Sequence, residues 1–348
     1  MCIGMEKLID RTRETWVDLV KIYACILVVL GHFFPSMVDA NIISNSFVLD
    51  WFKQTIYYFH VPLFFICSGY LYQKYSTVRT FSQWKSNVIK KLLDLGIPYF
   101  IFSIITYILK VIFSSFVNRE VDGFFSTLFI RPLSPYWYLY ALFLVFIATF
   151  TISNKKEAML FFGIALIMKI VSFFVNVDIV LIKYLLENEI WFVIGMLLMI
   201  YGMPNKLKKI NIFVPFIIGS LFVFLTILVY NFNYSYKSVS FLLGILGCLG
   251  TLMLFLKLDN WLVKVKGILS FVKYSFPIFL MHTIFAAGFR SVLFKLGVTN
   301  SIIHITVGLI VSFLGPIAAA IIMSKVKFLE FLLYPSKVLK NKSRRKNG

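Results

Sequence analysis

Acidic residues are scarce in this chain. Asp and Glu number 15 in 348 residues, and charged residues of both signs make up only 14%. A soluble domain carries roughly 25% charged residues, so this sequence cannot furnish the water-facing surface of an ordinary soluble enzyme. Cysteine is sparser still. Cys2, Cys25, Cys67 and Cys248 show no Cys-x-x-Cys spacing, and three of them sit in apolar runs. That pattern argues against a disulfide framework or a thiolate zinc site, and no metal is expected. The sequence also has no long polar stretch that could fold as a separate soluble domain. It has no internal repeat of the kind that marks many secondary transporters.

What is abundant is apolar and aromatic. Hydrophobic residues reach 60%, with 39 Phe, 18 Tyr and 6 Trp, and the mean hydropathy is +0.87. A membrane-crossing helix needs about 20 mostly apolar residues. Ten runs qualify: 16–34, 56–73, 92–116, 136–152, 158–176, 188–203, 211–230, 239–256, 268–289 and 302–323. None alternates polar with apolar positions as barrel strands do. The expectation is therefore an all-α polytopic membrane protein of about ten transmembrane helices. A cytoplasmic segment (1–15) would precede the ten-helix domain (16–323), and a basic cytoplasmic tail (324–348) would follow it. The first run is too long for a cleavable signal peptide and has no small-residue cleavage site after it. The stretch 178–189 reads as an interfacial helix, with Lys183 and Glu187 at i,i+4.

The net charge of +20 matters here less than its distribution. With the N-terminus in the cytoplasm, the inner segments hold 24 Lys and Arg and the outer loops hold 7. Cytoplasmic loops are enriched in these residues, so both ends are expected inside. The basic tail, with Lys337, Lys340, Lys342, Arg344, Arg345 and Lys346, reads as a topogenic, lipid-headgroup-binding end. Nucleic acid is not an expected partner.

Ionisable groups inside the bilayer are costly and usually face the bundle interior. Of the acids, only Asp18 falls clearly inside a run, and the same run carries Lys21 and His32. At 100° per residue, Lys21 to His32 is about 20° more than three turns, and Asp18 to His32 about 40° short of four. The three groups and Cys25 thus share one helix face, which should look into the protein. The plain reading of Asp18 and Lys21 is mutual neutralisation near the cytoplasmic boundary. His32 lies roughly 16 Å further up the helix. His60 and His282 fall at a similar outer depth, which suggests a site, although histidines at an interface need no special explanation. His304 reads as structural. Trp137 and Tyr138 sit where interfacial aromatic belts occur, and could instead stack on sugar rings.

Four segments carry a family resemblance. RETWVDLVKIYACILVVLGHF (Arg13–Phe33) resembles the first helix of the acyltransferase-3 family of integral membrane acyltransferases, with ten residues between Lys21 and His32. FHVPLFFICSGYLY (Phe59–Tyr72), SPYWYLYALF (Ser134–Phe143) and FPIFLMHTIF (Phe276–Phe285) resemble its second-, fourth- and ninth-helix signatures. The resemblance implies transfer of an acyl group, usually acetyl from cytoplasmic acetyl-CoA, to a hydroxyl of a cell-surface or secreted glycan or a lipid-linked sugar. A separate polysaccharide-biosynthesis partner would fit that role. The family histidine falls on His32 and its basic partner on Lys21. The Arg-x-x-Arg pair that often opens the third helix is absent here: KKLLDLGIPY puts Lys91 in the first place and Asp94 in the second. Lys90, Arg79 or Lys85 would then help Lys91 to bind CoA phosphates, though ordinary positive-inside charge accounts equally for these cations. His32 is expected as general base, with Asp18 and Lys21 at the donor end and His60, Trp137, Tyr138 and His282 on the acceptor. A proton-coupled transporter or lipid-linked sugar flippase, with the same ionisable groups as a proton relay, is the competing expectation.

Overall fold

The computed structural model describes residues 14–113, 122–234, 236–265 and 267–346. Apart from Glu14 and Thr15, the expected N-terminal segment lies outside the described residues. So do the side chains of Lys342, Arg344, Arg345 and Lys346 in the basic tail.

Over the described residues the apolar runs fall mainly on helices, and those residues form no strand. Within a bilayer this is forced, because a helix satisfies its own backbone hydrogen bonds. The chain opens with α1 (Thr15–Asp39), α2 (Phe47–Tyr57) and α3 (His60–Tyr75). Next comes α4 (Phe81–Ile112), which contains a π-helical turn at Leu92–Gly96. Then follow α5 (Trp137–Ala148), α6 (Lys155–Phe174), α7 (Val180–Ile200), α8 (Met203–Lys209), α9 (Phe213–Asn231) and α10 (Lys237–Leu262). The chain ends with α11 (Ile268–Lys273), α12 (Ser275–Lys295), α13 (Ser301–Lys325), α14 (Lys327–Leu333) and α15 (Pro335–Lys346). Several starts are written locally. Thr80 and Gln83 form a capping box at α4, and Asn154 and Asn300 accept two backbone N–H bonds each at α6 and α13, filling donors that the first turn leaves open.

Seven of these helices are long and apolar enough to cross a membrane, and α7 with α8, bent by 76°, makes an eighth if the pair is one span. Two of the ten runs fall on shorter helices, the 16-residue α3 and the 12-residue α5. Both are packed inside the bundle, which explains why α3 can carry so many polar and aromatic residues. The protein is an all-α, multi-pass integral membrane protein. One boundary differs from expectation. The stretch 178–189 is no separate interfacial helix but the first half of α7, so Glu187 and Glu189 sit within a long helix. Lys169 stands beside Glu187, close enough for the carboxylate to act on its ammonium, and donates from Nζ to the Glu187 backbone carbonyl at 3.0 Å; Thr149 Oγ1 donates to Glu189 Oε1 at 2.6 Å.

The helix α1 is the most enclosed of the seven, with 61% of its apolar window buried against 17% in α6. It packs on α3, α10 and α12. The helix α3 lies in turn along α7, where glycines make the contact: a Cβ at Gly69 would strike the Phe192 carbonyl, and one at Gly195 the Ile66 carbonyl. Small residues at such crossings let backbones meet closely in the membrane.

Candidate active site

The charged face of α1 enters the bundle, but not as one site. Cys25 is buried, with its thiol donating to the Ser275 carbonyl at 3.3 Å. Asp18 and Lys21 are half-buried in the first two turns, where the charges of both act on Cys67. His32, near the far end, is the point where two cavities meet. The first, of about 700 Å³, is bounded mainly by α1, α4 and α12; the second, of about 840 Å³, by α2, α3, α5, α7 and α10. His32, Lys53, Tyr57 and Ser134 belong to both walls. Neither wall includes Asp18 or Lys21.

The imidazole has close company. Ser134 Oγ lies 3.4 Å from His32 Nε2, and the His282 ring is tilted beside it at 5.5 Å between centroids. His282 lies in the first cavity, its Nδ1 turned to the Ile278 and Phe279 carbonyls at 3.0 Å. His60 lies in the second, its Nδ1 2.6 Å from the Ile56 carbonyl. A ring nitrogen facing a carbonyl must be the protonated one, so Nε2 is the unprotonated nitrogen of both rings when neutral; that of His282 is buried without a hydrogen-bond partner. Tyr57 stands edge-on to His60 at 5.0 Å and donates to the Gly31 carbonyl at 3.4 Å. Trp137 and Tyr138 complete the aromatic wall of the second cavity. The fold thus brings together five of the residues singled out from sequence: His32, His60, His282, Trp137 and Tyr138.

The remaining six lie elsewhere. Lys91 points into the bundle, with its ammonium 3.9 Å from the centre of the Phe146 ring. Lys21, Lys90 and Asp94 are near enough for their charges to act on it. Arg79, Lys85 and Lys90 are exposed along the first turns of α4 and the segment before it. These cations therefore group with Lys21, at the opposite end of α1 from His32.

Sequence reasoning passed over Ser134, Arg290 and Glu189. Ser134 sits inside a quoted motif but next to more conspicuous aromatics. Arg290 is buried and donates from Nη1 to the Ser36 carbonyl at 2.8 Å; its place near the end of an apolar run made it look like a loop charge. Glu189 was hidden by the misread start of α7. His304 takes the structural part expected, with Nε2 2.8 Å from the Val298 carbonyl. Among the described residues no cluster of metal-ligating side chains occurs.

A neutral imidazole open to two cavities, with a hydroxyl at its exposed nitrogen, can take a proton from an alcohol held beside it. Comparison with known proteins agrees with such chemistry. The chain is similar to the nodulation protein NolL of Mesorhizobium japonicum, with 27% identity over 137 residues. That match covers 39% of this chain and about a third, 35%, of the relative's length. No solved structure matches the chain. The acyltransferase-3 family model, described as an acyltransferase domain, matches residues 14–321. The match takes in every helix that lines the two cavities, and the chain belongs to this family of membrane acyltransferases.

Proposed function

We propose that the protein moves an acetyl group from cytoplasmic acetyl-CoA to a hydroxyl of a cell-surface or secreted glycan, or of its lipid-linked precursor. The observation that carries this reading is the position of His32, whose ring borders two cavities at once and so can meet an acceptor hydroxyl held where they join, while the acyl donor would reach it from the end of α1 where the cations group. The acceptor oxygen attacks the thioester carbonyl carbon while His32 takes the hydroxyl proton. The tetrahedral intermediate collapses, the C–S bond breaks, and the imidazolium returns the proton to the leaving sulfur. The products are an O-acetyl ester and CoA, with the histidine restored. General-base help of this kind is worth about 10²–10⁴-fold, and fixing both partners beside the ring supplies much of the remainder.

On the donor side, the exposed Arg79, Lys85 and Lys90 would meet CoA phosphates at the inner surface, and Lys91 and Lys21 would follow deeper in. Asp18, whose charge acts on Cys67 as that of Lys21 does, would balance Lys21 there. On the acceptor side, Trp137 and Tyr138 offer apolar faces to a sugar ring and His60 offers a nitrogen acceptor to its hydroxyls, while His282, with its Nε2 buried, would back the His32 ring.

The test is His32→Ala, assayed with radiolabelled acetyl-CoA in membranes from cells that make the glycan, and by NMR of that glycan. The expected result is normal membrane insertion, loss of transferred label and loss of O-acetyl signals. Retained transfer would remove both general-base catalysis and a transient acetyl-histidine from consideration.

A further inference from the structure

The two cavities that meet at His32 differ in the charge of their walls. Among the described residues, the first carries four cations, Lys53, Lys110, Arg290 and Lys295, against one acid, Asp39. The second carries Lys53, Lys169 and Lys237 against Asp50 and Glu187. The first wall thus holds three more cations than acids, and the second one more. This surplus is not the background of that side of the protein. The seven Lys and Arg of the expected outer loops are few, yet three of them, Lys53, Arg290 and Lys295, converge here, and Lys110 joins them from the last turn of α4. Arg290 is held in place by the Ser36 carbonyl, so its charge is fixed rather than trailing in solvent. The rest of the wall is largely apolar, with Leu109, Ala286 and Val292 among its residues.

A cavity that is apolar, net cationic and adjacent to the reacting ring suits an anionic group on a molecule that is otherwise weakly hydrated. Resting on the acetyl-transfer reading, we propose that the acceptor is phosphate-bearing. Its sugar ring lies against the aromatic wall of the second cavity, its phosphate lies in the first, and the reacting hydroxyl lies between them at His32. Lysine and arginine side chains bind phosphate oxygens through charge-assisted hydrogen bonds. The same phosphate chemistry can come from a lipid carrier or from a glycan polymer with phosphate in its backbone.

Binding can be measured on the full chain in phosphatidylcholine nanodiscs, without acetyl-CoA, using two matched pairs: farnesyl phosphate with farnesol, and glycerol phosphate with glycerol. The expected result is that the phosphate member of at least one pair binds about tenfold more tightly than its neutral partner, as charge-assisted bonds are stronger than neutral ones. Lys110→Gln and Lys295→Gln should each reduce that preference about threefold or more, and raising the salt concentration should weaken it. Preference for farnesyl phosphate assigns a lipid carrier, and preference for glycerol phosphate a polymer. Equal binding within both pairs, no binding of any probe, or a preference untouched by both substitutions would overturn the proposal. His32→Ala should keep the preference while losing transfer, so failure here and failure of the acetyl-transfer reading give different results.

Discussion

Ser134 reaches His32 across 102 residues of chain, through a bond of 3.4 Å that lies open to both cavities. That length is near the limit for a hydrogen bond, so the hydroxyl orients the ring more than it stabilises the protein. Ser134→Ala should therefore leave insertion and thermal stability unchanged and lower the turnover of acetyl transfer by about tenfold or less, in line with one modest hydrogen bond of roughly 1 kcal/mol. A loss as complete as that of His32→Ala would mean that Ser134 has a chemical part of its own. Glu189 is the opposite case, a buried polar group away from the cavities. One oxygen accepts from Thr149 and the other has no partner. Gln keeps the shape and the acceptor, whereas Ala leaves a void, with the Thr149 hydroxyl still able to donate to the Val145 carbonyl at 2.7 Å. Glu189→Gln should melt within a few degrees of the parent, and Glu189→Ala should lose about 2–5 kcal/mol through the cavity left behind, read as a fall in Tm in detergent.

The crossing of α3 and α7 shows what a helix pair contributes to the site. The helix α3 carries His60 at its start and α7 carries Glu187, Asn188 and Trp191, all in the wall of the second cavity. Their separation is set where Gly69 and Gly195 admit the opposing backbone. Because backbone cannot step aside as a side chain can, Gly69→Ala or Gly195→Ala should push the helices apart. The cost should reach or exceed the about 1–3 kcal/mol typical of overpacking, with lower yield and lost transfer. Gly163→Ala, on a stretch of α6 where an added Cβ meets nothing within 4 Å, is the control and should change neither. This scale also separates what the sequence made legible from what it hid. The apolar runs fall on helices because hydropathy is a property of the chain alone. The start of α7 does not show, because Lys183, Glu187, Asn188 and Glu189 look like surface residues until Lys169 and Thr149 come to meet two of them. Gly69 stands in a quoted motif, yet nothing in the sequence names Phe192 as its neighbour. In the site, His32, His60 and His282 were visible as ionisable groups at one depth, and Trp137 and Tyr138 as aromatics near a span end. The cationic wall was not, since Lys53, Lys110, Arg290 and Lys295 come from three separate helices that only the tertiary fold assembles.

For the molecule as a whole, the question is whether the two short helices cross. At 1.5 Å per residue, α3 and α5 extend about 24 and 18 Å, less than the roughly 30 Å hydrocarbon core. If α5 turned back instead of crossing, every later loop would change sides, and the expected separation of 24 inner from 7 outer cations would be lost. Cysteine accessibility settles this, because Cys25, Cys67 and Cys248 are buried and only Cys2 needs replacing by serine. Exposed positions exist on either side of each short helix: Ser44 and Ser82 flank α3, and Arg131 and Ser153 flank α5. In intact cells an impermeant maleimide should label Ser44→Cys, Arg131→Cys and Thr299→Cys, while Ser82→Cys and Ser153→Cys should react only after the membrane is opened. Labelling of Arg131→Cys and Ser153→Cys from the same side would make α5 re-entrant. It would reverse the orientation assigned to α6 through α13 and put Arg290 and Lys295 on the cytoplasmic side.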